Sequence, residues 1–539
     1  MADQHRGDVL GAAQRAGGGG WPVQTPNLDR LCAEGVRFAR AYTESPVCVS
    51  ARATVLTGRL PHRTGVVDNG YTLGSDAQTL PKLLRERGYH CQAIGKMHFS
   101  PVREQHGLDR MRLSEEIPGS PDEDEFLAHL LAAGFGHVEE PHGARHEMYY
   151  VPQVSQLPER RHTTAWTGRK TVEYLEERAT SDPEQPFFCW SSFIKPHPPF
   201  DPPVPWHTLY RPTDMPLPIR TDDEPARHTL FHRRQNRFKW TDQQLDPNML
   251  RLMRAYYAAC VSFIDSWVGQ ILDTLDRLHL RENTLILYIA DHGEYLGDHH
   301  AFGKRGYHDS ACRIPFIASW PGVLPQGETR HNLVGLADVT PTIIAAADRS
   351  ADALLALDLD GQNVLAPAAD ANTPWRDTLI GQLGEGPLGL YAAIDAEWKY
   401  VYSAPDDHEY LLHRGAGEGP DRDRSECADH AADPAAQPVL TRLRAALLDR
   451  FQSDGYETPL DPSDPNGLRR FPRRDVEWTE FDELEPDRAV VARGWQYARW
   501  NRRPPYDGPS HNLRADSAKS AYLFPALDVK PAPLREGEC

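Results

Sequence analysis

"TLILYIADHGEYLGDHH", residues 284–300, sets an unbroken apolar run, Leu285 to Ala290, directly before a charged pair, Asp291 and His292. Such a run suits a strand covered on both faces, as in a parallel sheet. Two further stretches have the same form. "YHCQAIGKMHF", residues 89–99, breaks at Gly95 and delivers Lys96 and His98. "PFFCWSSFIKPHPPF", residues 186–200, stops at Pro196 and delivers Lys195 and His197. Between this stretch and the first lies a long helical pattern in which Met249, Met253, Tyr256, Cys260, Phe263, Trp267 and Ile271 keep one face. Strands alternating with helices predict an α/β layered domain, a large mixed, mostly parallel sheet sandwiched by helices.

Further out, "TPNLDRLCAEGVRFARAY", residues 25–42, predicts a helix capped by Thr25, with Pro26 in its first turn and Gly35 at its end. "VRFARAY" then reads as a strand. Residues 101–160 and 200–247 are polar and rich in Pro and Arg, and read as insertions. Past 385 the pattern changes to adjacent short strands, "LYAAIDAEWKYVYS" and "HEYLLHR", an acidic Gly-rich loop and the helix "PVLTRLRAALLDRFQ". The expected organisation is an α/β domain over 1–384, a smaller α+β domain over 385–454 and an extended tail over 455–539.

The chain of 539 residues is 40% hydrophobic and 25% charged, enough apolar content for a sizeable core. Its formal charge of -18 argues against nucleic acid as a partner, which needs a basic footprint. None of the eight cysteines forms a C-x-x-C pair, and Cys91, Cys189 and Cys260 sit in apolar runs as reduced core thiols. No stretch approaches the ~18 apolar residues of a membrane span, and the N-terminus shows no signal pattern. A cytoplasmic protein is expected, with no membrane partner.

The polar residues gather where the apolar runs end. Lys96 with His98, Lys195 with His197, and Asp291 with His292 each follow a different strand. In open α/β sheets, ligands bind beyond the carboxyl ends of the strands. A fourth stretch, "SPVCVSARATVLTGR" (45–59), places Cys48 at the start of a short helix and Arg52 one turn on. A thiol there is activated by the helix dipole and free amides. Each residue also has a plainer reading: Lys96 and His98 as surface groups, Lys195 as a neighbour of His197, Asp291 as a helix cap. His299, His300 and His308 read as surface loop histidines.

Five ordered motifs weigh against the plainer readings, because together they resemble the signature of the sulfatase family. Cys48-Val49-Ser50-Ala51-Arg52 followed by Leu56-Thr57-Gly58-Arg59 is similar to the family's Cys-x-Pro-x-Arg core and its Leu-Thr-Gly-Arg segment. "IGKMHF" resembles its Gly-Lys-x-His motif and "KPHPPF" its Pro-His-x-Pro motif. "ADHGEYLGDH" and "FGKRGYHDSACRIPFIASWPG" resemble its late metal-binding strand and lysine loop.

The resemblance implies an alkaline phosphatase-like fold and a sulfuric ester hydrolase acting on a small-molecule sulfate ester. It implies that a maturation enzyme converts Cys48 to formylglycine, whose hydrated aldehyde is the nucleophile. It implies a divalent metal, calcium first and magnesium or manganese as alternatives, held by Asp3, Cys48, Asp291 and His292. Arg52 would steady the nucleophile, Lys96 and Lys304 would bind sulfate oxygens, His98 would act as base and His197 as acid.

Three departures stand out. Ser50 replaces the motif proline. Gln4 stands where many relatives carry a second aspartate, a feature shared with choline sulfatases and phosphonate monoester hydrolases. The family's first strand is expected to be missing, leaving Asp3 beside a fraying end. These departures keep open a phosphonate monoester or phosphodiester hydrolase, and a non-catalytic relative. A homo-oligomer is also open.

Overall fold

In the computed structural model, the residues described are 1–145, 149–238, 245–348, 354, 356–414 and 426–471. Twelve strands are found among them: β1 (Ala2–Asp3), β2 (Val36–Tyr42), β3 (His90–Gly95), β4 (Arg110–Leu113), β5 (Phe187–Pro196), β6 (Ile286–Ile289), β7 (Phe316–Ser319), β8 (Glu328–Gly335), β9 (Leu379–Leu383), β10 (Leu390–Ile394), β11 (Trp398–Ser403) and β12 (His408–His413). The first eight form two ribbons, β1-β5-β3-β4 and β6-β7-β2-β8. A parallel bridge from Ala2 to Ala290 joins them into one sheet. Only β7 runs against its neighbours; β1, β3, β4, β5, and likewise β2 and β8, pair in parallel.

The period of two along these strands divides the core. Ile289, Phe316 and Ala318 point to one face, where they meet Val55 and Leu56 of the helix Cys48–Thr57, Leu83 and Leu84 of the helix Leu80–Arg85, and Ile344 of the helix Val339–Asp348. Tyr288 and Ile317 point to the other, against Leu28 and Leu31 of the helix Pro26–Ala33 and Ile264, Val268 and Leu272 of the helix Pro247–Arg277. Helices therefore cover both faces, the α/β sandwich expected from the unbroken apolar runs. Among the described residues no helix is long and apolar enough to cross a membrane.

Asp3 does not fray. Ala2 and Asp3 are a strand paired to β5, the amino group of Met1 donates to Ser191 O at 2.8 Å, and Asp3 is fully buried. Two residues suffice for a strand here because β5 on one side and Ala290 on the other supply the pairing.

A smaller antiparallel meander, β9-β10-β11-β12, carries the helix Gln437–Ser453 on its apolar face, with Tyr391, Tyr400 and Leu411 against Leu443, Leu447 and Phe451. Its first strand, β9, precedes residue 385. Residues 456–471 fold back on this unit: Leu468 is buried in its core and Tyr402 OH donates to Arg469 O at 2.8 Å. The remainder of the expected tail, 472–539, lies outside the described residues, as does most of the acidic Gly-rich loop, 415–425.

Candidate active site

Five of the parallel strands, β1, β2, β3, β5 and β6, each lead into a polar group at one edge of the sheet. Asp3 ends β1, Lys96 follows β3, Pro196 of β5 leads to His197, and Asp291 and His292 follow β6. Beyond β2 the chain turns through residues 43–47 into the helix Cys48–Thr57, so Cys48 is its first residue. The sequence folds this way because each apolar strand stops where a charged residue begins.

Cys48 is fully buried, and its Sγ lies 2.8 Å from Lys304 Nζ, 3.2 Å from His292 Nε2 and 3.9 Å from Asp3 Oδ1. Burial pushes its thiol up. The positive charges of Lys304, Lys96 and His292 overcome that and hold it well below the usual range. Arg52, one turn along, spans the carboxylates: Nη2 is 3.0 Å from Asp291 Oδ2 and 3.6 Å from Asp3 Oδ2, and Nη1 donates to Lys96 O at 2.6 Å. The Lys96 ammonium bridges Asp3 and Glu116, the latter at 2.6 Å. Burial lowers the Lys96 pKa, but Asp3, Cys48 and Glu116 outweigh it and hold the ammonium charged.

The ligand atoms of Asp3, Cys48, Asp291 and His292 lie within 4.8 Å of one another, and all four residues are buried. The His292 ring is oriented for a cation. Its Nδ1 contacts Gly293 O at 3.0 Å, which places the proton there and leaves Nε2 facing Cys48 and Asp3. Burial lowers the affinity of His292 for a second proton, yet the Asp291 carboxylate raises it above the usual value, so positive charge is favoured at this point. Gln4 holds a left-handed φ of 67° and directs its Oε1 to Lys304 Nζ at 3.2 Å. Two carboxylates, an imidazole and an amide oxygen suit a hard or borderline divalent cation, and these residues fit the metal that the sequence implied.

His197 contacts Pro198 O through Nδ1 at 2.7 Å and Lys304 Nζ through Nε2 at 3.0 Å. The first contact fixes the proton on Nδ1, so Nε2 accepts from the lysine. Burial, helped by Lys304, brings its pKa down to about 4 against the pull of Glu116, so the ring is neutral.

The structure thus brings together Asp3, Cys48, Arg52, Lys96, His197, Asp291, His292 and Lys304. It does not bring in the His98 ring. His98 has a φ of 59°, its backbone N–H donates to Glu115, and its side chain lines a small cavity with Arg52, Val49 and Phe99. Its Nδ1 is buried without a hydrogen-bond partner, and the imidazoles at Cys48 are those of His292 and His197. Lys195 points away, to Asp201 at 2.5 Å and Pro199 O at 2.7 Å.

Two site residues had no reading in the sequence. Glu116 joins Lys96, Arg145 at 2.8 Å and His197 at 3.4 Å. It follows β4 at the same sheet edge, so the strand-end rule would have found it had "RMRL" been read as a strand. Glu294 accepts from Gln4, from Gly303 N at 2.6 Å and from Tyr150 OH at 3.1 Å, which ties the lysine loop to β1.

A buried cluster of possible metal ligands, ringed by lysines and arginine, thus stands at the carboxyl edge of an α/β sheet, where such sheets bind ligands. Residues 7–349 match the Sulfatase family, and the chain belongs to that family. It is 31% identical over 450 residues to the multifunctional alkaline phosphatase superfamily protein PehA of Trinickia caryophylli, covering 75% of this chain and 86% of that one. It is 29% identical over 430 residues to an arylsulfatase of Clostridium perfringens, covering 76% and 86%. Among solved structures, the phosphonate monoester hydrolase SpPMH of Silicibacter pomeroyi superimposes with a TM-score of 0.69 at 23% identity, covering 88% of this chain and 99% of that one. The fold is therefore that of the alkaline phosphatase superfamily.

Proposed function

We propose that this sulfatase-family hydrolase cleaves a small-molecule sulfate monoester, with residue 48 as formylglycine and a divalent cation, calcium before magnesium or manganese. The observation that carries this reading is the meeting of Cys48 with Lys304, His292 and Asp3 in one buried cluster. Formylglycine supplies a nucleophilic oxygen, and the cation draws charge from the ester oxygens; Asp3, Asp291, His292 and residue 48 would hold that cation.

The remaining work falls to side chains in place. Arg52 keeps the two carboxylates oriented around residue 48. Lys96 and Lys304 meet the charge that grows on the sulfate oxygens. The leaving oxygen takes its proton from His197, whose Nε2 is supplied by the Lys304 ammonium. Conversion of Cys48 requires a maturation enzyme as partner. Ser50 leaves the folded helix undisturbed, since its Oγ donates to Val66 O at 2.6 Å.

The second reading, a phosphonate monoester or phosphodiester hydrolase, is favoured by the pattern Asp3-Gln4 with Asp291-His292, which resembles that of phosphonate monoester hydrolases; these esters carry one negative charge, as a sulfate monoester does. Tandem mass spectrometry of the peptide ending at Arg52, from a host with a maturation enzyme, tests the conversion; unmodified thiol alone would sink it. Rates on aryl sulfates, phosphodiesters and phosphonate esters under saturating calcium, magnesium and manganese separate the two readings. Higher kcat/KM on phosphodiesters or phosphonates would establish the second.

A further inference from the structure

Two of the three histidines that the sequence assigns to the surface, His299 and His300, are buried. His299 is 4% exposed and His300 8%. His299 stands at the meeting point of three segments far apart in the chain: the insertion at 224–232, the lysine loop at 298–308 and residues 426–429. Its Nδ1 contacts Glu224 Oε1 at 2.7 Å and lies 3.9 Å from Cys427 Sγ. The three ligand atoms fall within 4.8 Å of one another, and all three residues are buried. Next to them lies a cavity of about 50 Å³, room for water, walled by His228, His232 and Tyr410 among others.

We propose that Glu224, His299 and Cys427 form a second metal site, separate from the centre at Cys48, for a borderline divalent transition cation of the zinc type. The donor set argues for it. A carboxylate oxygen, an imidazole nitrogen and a thiolate are the ligands zinc takes, whereas calcium and magnesium favour sets dominated by oxygen and do not take a thiolate. Two potential negative charges on neutral imidazole match a doubly charged ion.

The geometry is close. Tetrahedral zinc sets nitrogen and sulfur ligands ~3.5 Å apart and nitrogen and oxygen ligands ~3.3 Å apart, given bonds of ~2.0 and ~2.3 Å. Reaching those separations moves the nitrogen–oxygen and nitrogen–sulfur pairs by roughly half an ångström. Three protein ligands leave a fourth position, which water from the adjoining cavity fills.

The ligands are also held in place. His299 has φ 56° and ψ 27°, a left-handed backbone that a residue other than glycine keeps only when its surroundings impose it. His228 Nε2 contacts His299 O at 2.7 Å, and the His308 ring stacks on His299 with centroids 4.1 Å apart. Thr221 N donates to the second Glu224 oxygen at 2.7 Å, and Arg227 donates to Cys427 O at 2.7 Å. Ligands anchored by such outer contacts are the mark of a built site. The ion pins the loop that carries Lys304 to the C-terminal unit, independently of the chemistry at Cys48.

The test uses the full chain carrying Cys48→Ala, which removes the thiol from the ligand clusters at Asp3. Zinc-edge X-ray absorption of the zinc-loaded protein should show one sulfur at ~2.3 Å with nitrogen and oxygen ligands. Cobalt loading should give a thiolate-to-metal charge-transfer band. Adding Cys427→Ala should abolish the band and weaken zinc binding by more than ~100-fold, beyond what loss of an outer contact costs. Glu224→Gln should weaken zinc binding while keeping the band. A spectrum without sulfur overturns the proposal whether or not the double variant folds. Zinc affinity and cobalt band that survive Cys427→Ala overturn it as well.

Discussion

The Lys304 ammonium donates to Cys48 Sγ at 2.8 Å, although 256 residues separate them. The same nitrogen lies 3.0 Å from His197 Nε2 and 3.2 Å from Gln4 Oε1. Lys304 is therefore a cation that touches the proposed nucleophile and the proposed proton donor together. Replacing it with Ala should lower kcat by roughly 10²–10³, the usual cost of a lost donor at developing charge. In the unconverted protein, Lys304→Ala should also raise the Cys48 thiol pKa, because its charge is the largest of those opposing burial. Steady-state kinetics and a thiolate absorbance titration, each set against Cys48→Ala, read the two effects. Unchanged kcat would remove Lys304 from the site.

Asp291 joins four elements of the centre: it accepts from Gln4 N at 2.9 Å and His292 N at 3.0 Å, pairs with Arg52 and lies beside Asp3. Asp291→Asn removes a charge from the cation site without changing its shape. Burial raises the Asp291 pKa, but His292 and Arg52 bring it below the usual carboxylate range, so the group is charged at neutral pH. Stripping the enzyme with a chelator should abolish turnover and calcium should restore it. The variant should need at least tenfold more calcium for half-restoration, in line with the cost of perturbing ligands. Equal calcium requirements in the two proteins would contradict the assignment.

The strand ends were legible because an apolar run that stops at a charge marks both a sheet and its functional edge. Leu285–Ala290 before Asp291, and Cys91–Ile94 before Lys96, pointed to the sheet and to three residues of the cluster, Asp291, His292 and Lys96. Glu116 was not legible, since β4 is four residues long and alternates Arg with Met and Leu inside a polar stretch. His299 was misread because its burial comes from partners 75 and 128 residues away, Glu224 and Cys427. A run of Asp and His between glycines reads as solvated loop until an insertion covers it. The strand at Ala2–Asp3 was missed for a related reason: two residues carry no periodicity, and its stability comes from both neighbours.

Gly95 ends β3 with φ 94°, and a Cβ there would lie 2.0 Å from Ser192 O. That same oxygen accepts from Lys96 N at 3.0 Å, so the close approach sets where Lys96 emerges. Gly95→Ala should cost at least ~2 kcal/mol, combining left-handed strain with overpacking. Turnover per folded molecule should fall too, as Lys96 shifts from Asp3 and Glu116. Urea unfolding and kinetics on the soluble fraction measure both; a midpoint equal to that of the wild type would mean the strand gives way freely.

His5 gives a pH dependence that is separate from catalysis. It is fully buried, with Nε2 at 2.7 Å from Val9 O and Nδ1 at 2.8 Å from Tyr288 OH. Burial lowers its pKa from 6.5 to about 4, outweighing the carbonyl of Val9. Between those values the unfolded chain binds the proton and the folded chain does not. Stability therefore falls as pH drops from about 6.5 toward 4, by up to ~3 kcal/mol from this residue. Above pH 6.5 the residue contributes no slope. His5→Gln, which cannot take up the proton, should flatten the stability profile in that window by nearly one proton. Urea midpoints of both proteins at half-unit steps from pH 7.5 to 4.5 measure the difference. Parallel profiles would place the His5 pKa near that of the unfolded chain and contradict its neutral burial.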